Sequence, residues 1–149
     1  MAAGLHASIK LRWYDDSNLL TDDCRQLLVN FLDSIGVTSD VACDLLEVML
    51  MSRAKDIALT TSEMRQGIIR LRQNRKEKDV EGGLTDRNIQ VWIKYFEQIG
   101  FFETISGKHR FASNKKPREA FKRTRQVVEE SLKYTDKLLE KLEKAYRII

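Results

Sequence analysis

Residues 85–112 (TDRNIQVWIKYFEQIGFFETISGKHRFA) leave this chain few ways to fold. Thr85 is a good helix N-cap, and Asp86 puts a carboxylate in the first turn, where it suits the helix dipole. Ile89, Trp92, Ile93, Phe96 and Ile99 then recur at helical spacing, and Gly100 stands where a left-handed C-cap is wanted. Residues 101–105 and 110–112 flank a Ser106-Gly107-Lys108-His109 turn, the pattern of a short hairpin with a basic tip. Trp92, Phe96, Phe101 and Phe111 are spaced to close the helix onto the hairpin, which assigns them to the core.

The upstream segments supply more helices. Residues 1–20 read as an arm, in which residues 8–14 alternate and can add a strand. Leu27, Leu28, Phe31, Leu32 and Ile35 form the stripe of a helix from about Thr21, closed by Gly36. A second helix starts at a Ser39 or Asp40 cap and carries Val41, Leu45, Val48 and Met49, with Leu46, Leu50 and Met51 on its flanks. Apolar on more than one side, it is expected at the centre of the core. Residues 57–59 can form a short strand, and Thr61 with Met64, Ile68, Ile69 and Leu71 gives another capped helix.

The order helix, short strand, helix, loop, helix, hairpin over residues 40–113 resembles the winged helix-turn-helix domains of prokaryotic and archaeal transcription regulators. The resemblance covers about half the chain and implies a mainly α fold with a small β-hairpin wing. One departure is the long connection before the last helix. Residues 73–83 (QNRKEKDVEGG) intervene, all five of 75–79 charged. Either the preceding helix continues for two more turns, or a charged loop lies beside the exposed face of the next one.

The tail is simpler. Pro117 suits a helix start, and neither Pro nor Gly follows up to Ile149. Phe121, Arg125, Val128, Leu132, Thr135, Leu139, Leu142, Tyr146 and Ile149 alternate spacings of four and three, a heptad seam. Leu138 and Ala145 widen it on one side, while Glu129, Asp136 and Glu143 line the other. Val128, Leu132, Leu138, Leu139, Leu142, Tyr146 and Ile149 are the expected homodimerisation residues, in an antiparallel or four-helix junction, with a protein partner through this helix as the alternative. The expected organisation is an arm and helix at 1–39, a winged unit at 40–113 and a long coiled-coil-like helix at 114–149.

Charge is distributed unevenly. The chain has net charge +4, but residues 1–56 carry 5 basic against 9 acidic side chains, residues 57–113 carry 10 against 7, and residues 114–149 carry 11 against 6. Basic charge begins with the winged unit, which suits double-stranded DNA as partner. In such domains the solvent face of the last helix enters the major groove and the wing meets phosphate or the minor groove. On this chain that face holds Arg87, Asn88, Gln90, Val91 and Lys94. The planar groups of Arg87, Asn88 and Gln90 can pair bidentately with base edges, Lys94 suits phosphate, and Val91 suits a thymine methyl. Lys108, His109 and Arg110 at the wing, Ser62, Arg65 and Gln66 at a helix start, and Lys115, Lys116 and Arg118 beyond the wing would extend the phosphate track.

Other classes have little support. No phosphate-binding, dinucleotide-binding, nucleophile-elbow or zinc-protease motif occurs, and His6 and His109 lack partners at ligand spacing, so no catalysis, cofactor or metal is expected. Cys24 and Cys43 read as small buried hydrophobes in a reducing compartment. With no membrane-length apolar run and no signal-peptide pattern, a cytoplasmic protein is expected. The reading is a dimeric transcription regulator that binds specific duplex DNA. Its alternatives are a winged protein-interaction module in a larger assembly and a DNA replication or partition accessory protein.

Overall fold

A computed structural model describes residues 4–149; the first three residues of the expected arm lie outside the described residues. The chain is mainly helical, with one two-stranded antiparallel hairpin and a long C-terminal helix. No described helix is long and apolar enough to cross a membrane.

Helix α1 (Cys24–Ser34) begins three residues later than its stripe suggested, because Asp23 takes the cap and accepts from the backbone N–H groups of Arg25 and Gln26. Thr21 instead accepts from the Asp23 N–H. This start leaves Cys24 exposed, against expectation, while Cys43 is buried. Residues 8–14 form no strand. The arm is tied to the end of α1 by the Arg12 N–H to the Ser34 carbonyl (2.8 Å) and by Arg12 and Tyr14 on the Asp33 carboxylate, both 2.6 Å.

Helix α2 (Asp40–Ala54), capped by Ser39, is the centre of the molecule. Leu45, Leu46 and Met49 are buried among Met64 and Ile68 of α3 (Thr61–Asn74) and Ile89, Ile93 and Phe96 of α4 (Asp86–Gln98). The cap of α3 is Thr60, in a reciprocal box: its hydroxyl accepts from the Glu63 N–H, and the Glu63 carboxylate accepts from the Thr60 N–H. The expected strand at 57–59 is a single antiparallel bridge between Leu59 and His109.

Strands β1 (Phe102–Ile105) and β2 (Lys108–Phe111) pair from Phe102–Phe111 out to Ile105–Lys108. The turn is therefore two residues, Ser106-Gly107, and not four. Both have positive φ (53° and 75°), the two-residue geometry whose twist matches the flanking strands. Lys108 and His109 consequently belong to β2.

Of the segment 73–83, Gln73 and Asn74 finish α3 and the charged remainder from Arg75 is a loop, which is pinned to the core. Arg72 donates Nη1 to the Gly82 carbonyl (2.6 Å) and Nε to the Asp44 carboxylate (2.9 Å). Arg75 and Arg25 donate to the other Asp44 oxygen at 2.8 and 2.7 Å. Asp44 is only 1% exposed. Burial pushes its carboxyl upward, but the hydrogen bonds from Arg75, Arg72 and Arg25 outweigh that and hold it below its ordinary value.

Helix α5 (Pro117–Ala145) starts on the core and then leaves it. Phe121 packs edge-on against Phe31 and Phe101 (5.7 and 5.4 Å), and Ala120 and Thr124 are buried. Gly100, at φ +83°, closes α4 here; a Cβ would lie 3.1 Å from that of Arg123, so only glycine gives both the turn and the approach. Beyond Thr124 no residue is buried. The helix also stops early: Tyr146 is its C-cap, Arg147 turns at positive φ, and the Ile148 N–H returns to the Glu143 carbonyl. Ile149 thus lies off the helix on which its seam position was counted.

Candidate functional site

The outer face of α4 is built by its inner one. Ile89, Ile93 and Phe96 are buried, and at 100° per residue this forces Arg87, Gln90, Val91 and Lys94 outward, where all four are exposed. Asn88, grouped with them from sequence, is half-buried, and its amide donates to the Gly83 carbonyl at 2.7 Å. It secures the loop before α4 instead of presenting its amide outward.

A shallow cleft separates the starts of α3 and α4, lined by Ser62, Arg65, Glu81, Asp86 and Gln90 among others. Ser62 is exposed there, whereas Gln66, also exposed, lies on the other side of α3, in the groove toward Val48 and Met51 of α2. Arg65 is engaged, donating Nε to the Leu84 carbonyl (2.9 Å) and lying 3.4 Å from Glu81. It is a brace between α3 and the loop.

At the hairpin the sequence expectation is only partly met. Lys108 is exposed beside the turn. His109 is buried, which removes it from any surface track: Nε2 lies 2.9 Å from the Thr61 hydroxyl and Nδ1 2.7 Å from that of Thr104. Thr104 is in turn hydrogen-bonded to Glu97 of α4. One imidazole therefore joins the hairpin to the start of α3 and, through Thr104, to α4. Burial pushes its pKa down, and Glu97 only partly opposes this. The signal for this placement was present in the sequence. Phe111 faces inward, and two residues along a strand return to the same face. Arg110 points to the other side and donates to Glu103 at 2.6 Å, half-buried rather than at a tip. Burial raises the Glu103 carboxyl, while the Ser113 N–H, Arg110 and Arg123 more than reverse it.

Lys115 and Lys116 are exposed where the hairpin leads into α5. Arg53 at the end of α2 donates Nε to the Lys115 carbonyl (3.2 Å), and Asn114 donates to Asp56 (3.1 Å), so this junction is held to α2.

The outward face thus combines Arg87, Gln90, Val91 and Lys94 of α4, Ser62 of α3 and Lys108 of β2, and Gln66 is not brought to it. Arg87, Lys94 and Lys108 have no ion-pair partner among the described residues, whereas Glu63 and Asp86 stand at the nearby helix starts and Glu81 in the loop before α4. The cations are displayed singly, against a nearly balanced background. The cluster of buried Asp44 and Arg72 with the more exposed Arg25 and Arg75, absent from the sequence reading, positions the loop that delivers α4. No family model matches this chain, and no curated protein or solved structure matches it either.

Proposed function

We propose that this chain binds double-stranded DNA through the outer face of α4 and the Lys108 side of the hairpin, as a dimeric transcription regulator. The observation that carries the reading is topological. Leu59, between α2 and α3, bridges β2, so the order helix, bridging residue, helix, helix, hairpin wraps one core and leaves the polar face of α4 outward. That is the order of a winged helix-turn-helix. Helix α4 has thirteen residues, about 20 Å, a length that lies readily in a major groove. Arg87 and Gln90 supply planar donors near its N-terminal end, Lys94 a cation one turn on, and Lys108 a phosphate contact. Lys115 and Lys116 extend the track toward α5.

Mixed genomic duplex in a gel-shift at low and moderate salt tests this. The expected result is a shift that weakens steeply with salt. Arg87→Ala should relax base preference by about 1–3 kcal/mol at one position, and Lys108→Ala should weaken all duplexes alike. Unchanged selection from a random-sequence pool by both variants would overturn the assigned face; no shift at low salt would overturn DNA binding. The balanced charge of the face and exposed Val91 favour one second reading, a protein-docking winged module, which predicts no salt-dependent duplex binding.

A further inference from the structure

The hydrogen bonds around His109 form one unbranched chain, and the chemistry of its ends decides its direction. Thr61 is the first residue of α3, Thr104 lies on β1 and Glu97 in the last turn of α4, so a single buried ring ties three elements together. Nε2 is linked to the Thr61 hydroxyl (2.9 Å), Nδ1 to the Thr104 hydroxyl (2.7 Å), and that hydroxyl to the Glu97 carboxylate. A carboxylate anion has no proton to give, so Thr104 directs its only hydroxyl proton at Glu97. Its oxygen then meets Nδ1 with lone pairs alone, and a contact of 2.7 Å there requires the proton to be on Nδ1. A neutral ring protonated at Nδ1 keeps a lone pair on Nε2, which accepts from Thr61. The other tautomer would set two acceptors against each other at Thr104.

This seat has no good place for a second proton. It would go to Nε2, where the Thr61 hydroxyl already donates, so that hydroxyl would have to turn about. The cation would also lie at the N-terminal end of α3, which is the positive end of that helix. Burial acts in the same sense and pushes the ring's pKa down, and Glu97, 4.0 Å from Nδ1, opposes it. The other charged groups of the packed elements are engaged or turned away. Glu63 of α3 accepts from the Thr60 N–H and lies toward Lys108, and Asp56, before Leu59, accepts from Asn114. Arg110 and Glu103 pair with each other on the opposite side of the hairpin, and Lys94 of α4 is exposed.

The hairpin depends on this ring beyond its base. Phe102 and Phe111 are buried in the core, and of the eight residues between them only His109 is buried. Its backbone also exchanges two hydrogen bonds with Leu59, of 2.6 and 3.1 Å. We infer that the Thr61–His109–Thr104–Glu97 chain is a proton-operated latch, closed while His109 is neutral with its proton on Nδ1 and opened when Nε2 takes a second one, and that it decides whether the outer half of the hairpin is seated. Opening parts the Leu59–His109 rung and frees Lys108, the preceding residue, so the exposed cation of β2 holds a fixed place only in the closed state. The latch is a property of the chain alone and stands whether or not the outer face binds DNA.

The test is nuclear magnetic resonance on the full 15N-labelled chain without DNA, with His6→Gln to assign the two histidines. At pH 7.5, long-range proton–nitrogen correlations should show His109 protonated at Nδ1 and unprotonated at Nε2. A ring protonated at Nε2 instead overturns the chain. Glu97→Gln ends the chain in an amide that can donate, which lets Thr104 turn its proton toward Nδ1, so the Nε2–H form should appear. A tautomer unchanged by that substitution also overturns the chain. Amide exchange tests the opening. The Leu59 and His109 amides, corrected for intrinsic exchange, should be less protected than those of Leu45 and Met49 in α2. Their protection should fall by up to about tenfold from pH 7.5 to 5.5, as one proton is taken up per opening, and His109→Gln should remove the fall at Leu59. Protection equal to that of Leu45 and Met49 would mean that the hairpin leaves only when the whole chain unfolds, and a parent without the fall would mean that opening takes up no proton. Either result overturns the latch.

Discussion

Helices α2 and α5 obey different rules. Nine of the fifteen residues of α2 are buried, against two of the twenty-nine of α5. Helix α2 is held by its neighbours on several sides, while most of α5 has only local support. Its pairs Glu119–Lys122, Glu130–Lys133 and Glu140–Lys144 contribute about 0.2–0.5 kcal/mol each. Such increments make a helix but do not cover its leucines. A helix whose apolar residues are already buried specifies a core, and one whose apolar residues remain outside leaves a surface the chain itself does not cover.

That contrast can be broken in order of size. The largest effect is expected within α2. Leu45→Ala should cost about 2–5 kcal/mol in denaturant unfolding of dilute protein, whereas Leu139→Ala should cost less than about 0.5 kcal/mol there and act only on self-association. Equal losses in dilute protein would mean that distal α5 is covered within a single chain.

A smaller effect comes from the buried imidazole that joins the hairpin to α3. His109 is held below the ordinary histidine value of 6.5, first by burial. Below that pH the unfolded chain takes up a proton that the folded chain declines. Stability is therefore complete above pH 6.5 and falls as the pH drops toward the lowered folded value. His109→Gln should flatten thermal melts between pH 7.5 and 5.5, and a parent whose melts do not change across this window would remove the imidazole from the account. The smallest effect lies where the two regimes meet. The Thr124 hydroxyl is buried with no hydrogen-bond partner among the described residues, so Thr124→Val should be neutral or stabilise by up to about 1 kcal/mol in the same unfolding measurement. A loss of more than that would point to a partner for the hydroxyl.

What could be read in advance was local. The Thr85 cap, the apolar spacing of α4 and the Gly100 stop all act within one or two turns, so they were legible. So was the central place of α2, whose apolar positions exceed one face. The hairpin was legible as a hairpin, but its turn was read two residues too long, because Lys108 and His109 look like tip residues until strand alternation is followed back from Phe111. The brace on the charged loop was not legible. Asp44 meets Arg72 and Arg75 across 28 and 31 residues of chain, and nothing local distinguishes those arginines from solvated ones. For the same reason Arg65, Asn88 and Arg110, read as outward groups, proved to be engaged with Leu84, Gly83 and Glu103.

By itself, then, the sequence determined where helices begin and end and which of their faces are apolar, since capping and periodicity act over a few residues. Only the tertiary structure decided which apolar faces find each other and which polar groups are consumed in doing so. Burial and ion pairing depend on which elements meet in space. The stripe of α4 closed onto α2, whereas the distal stripe of α5 was left exposed.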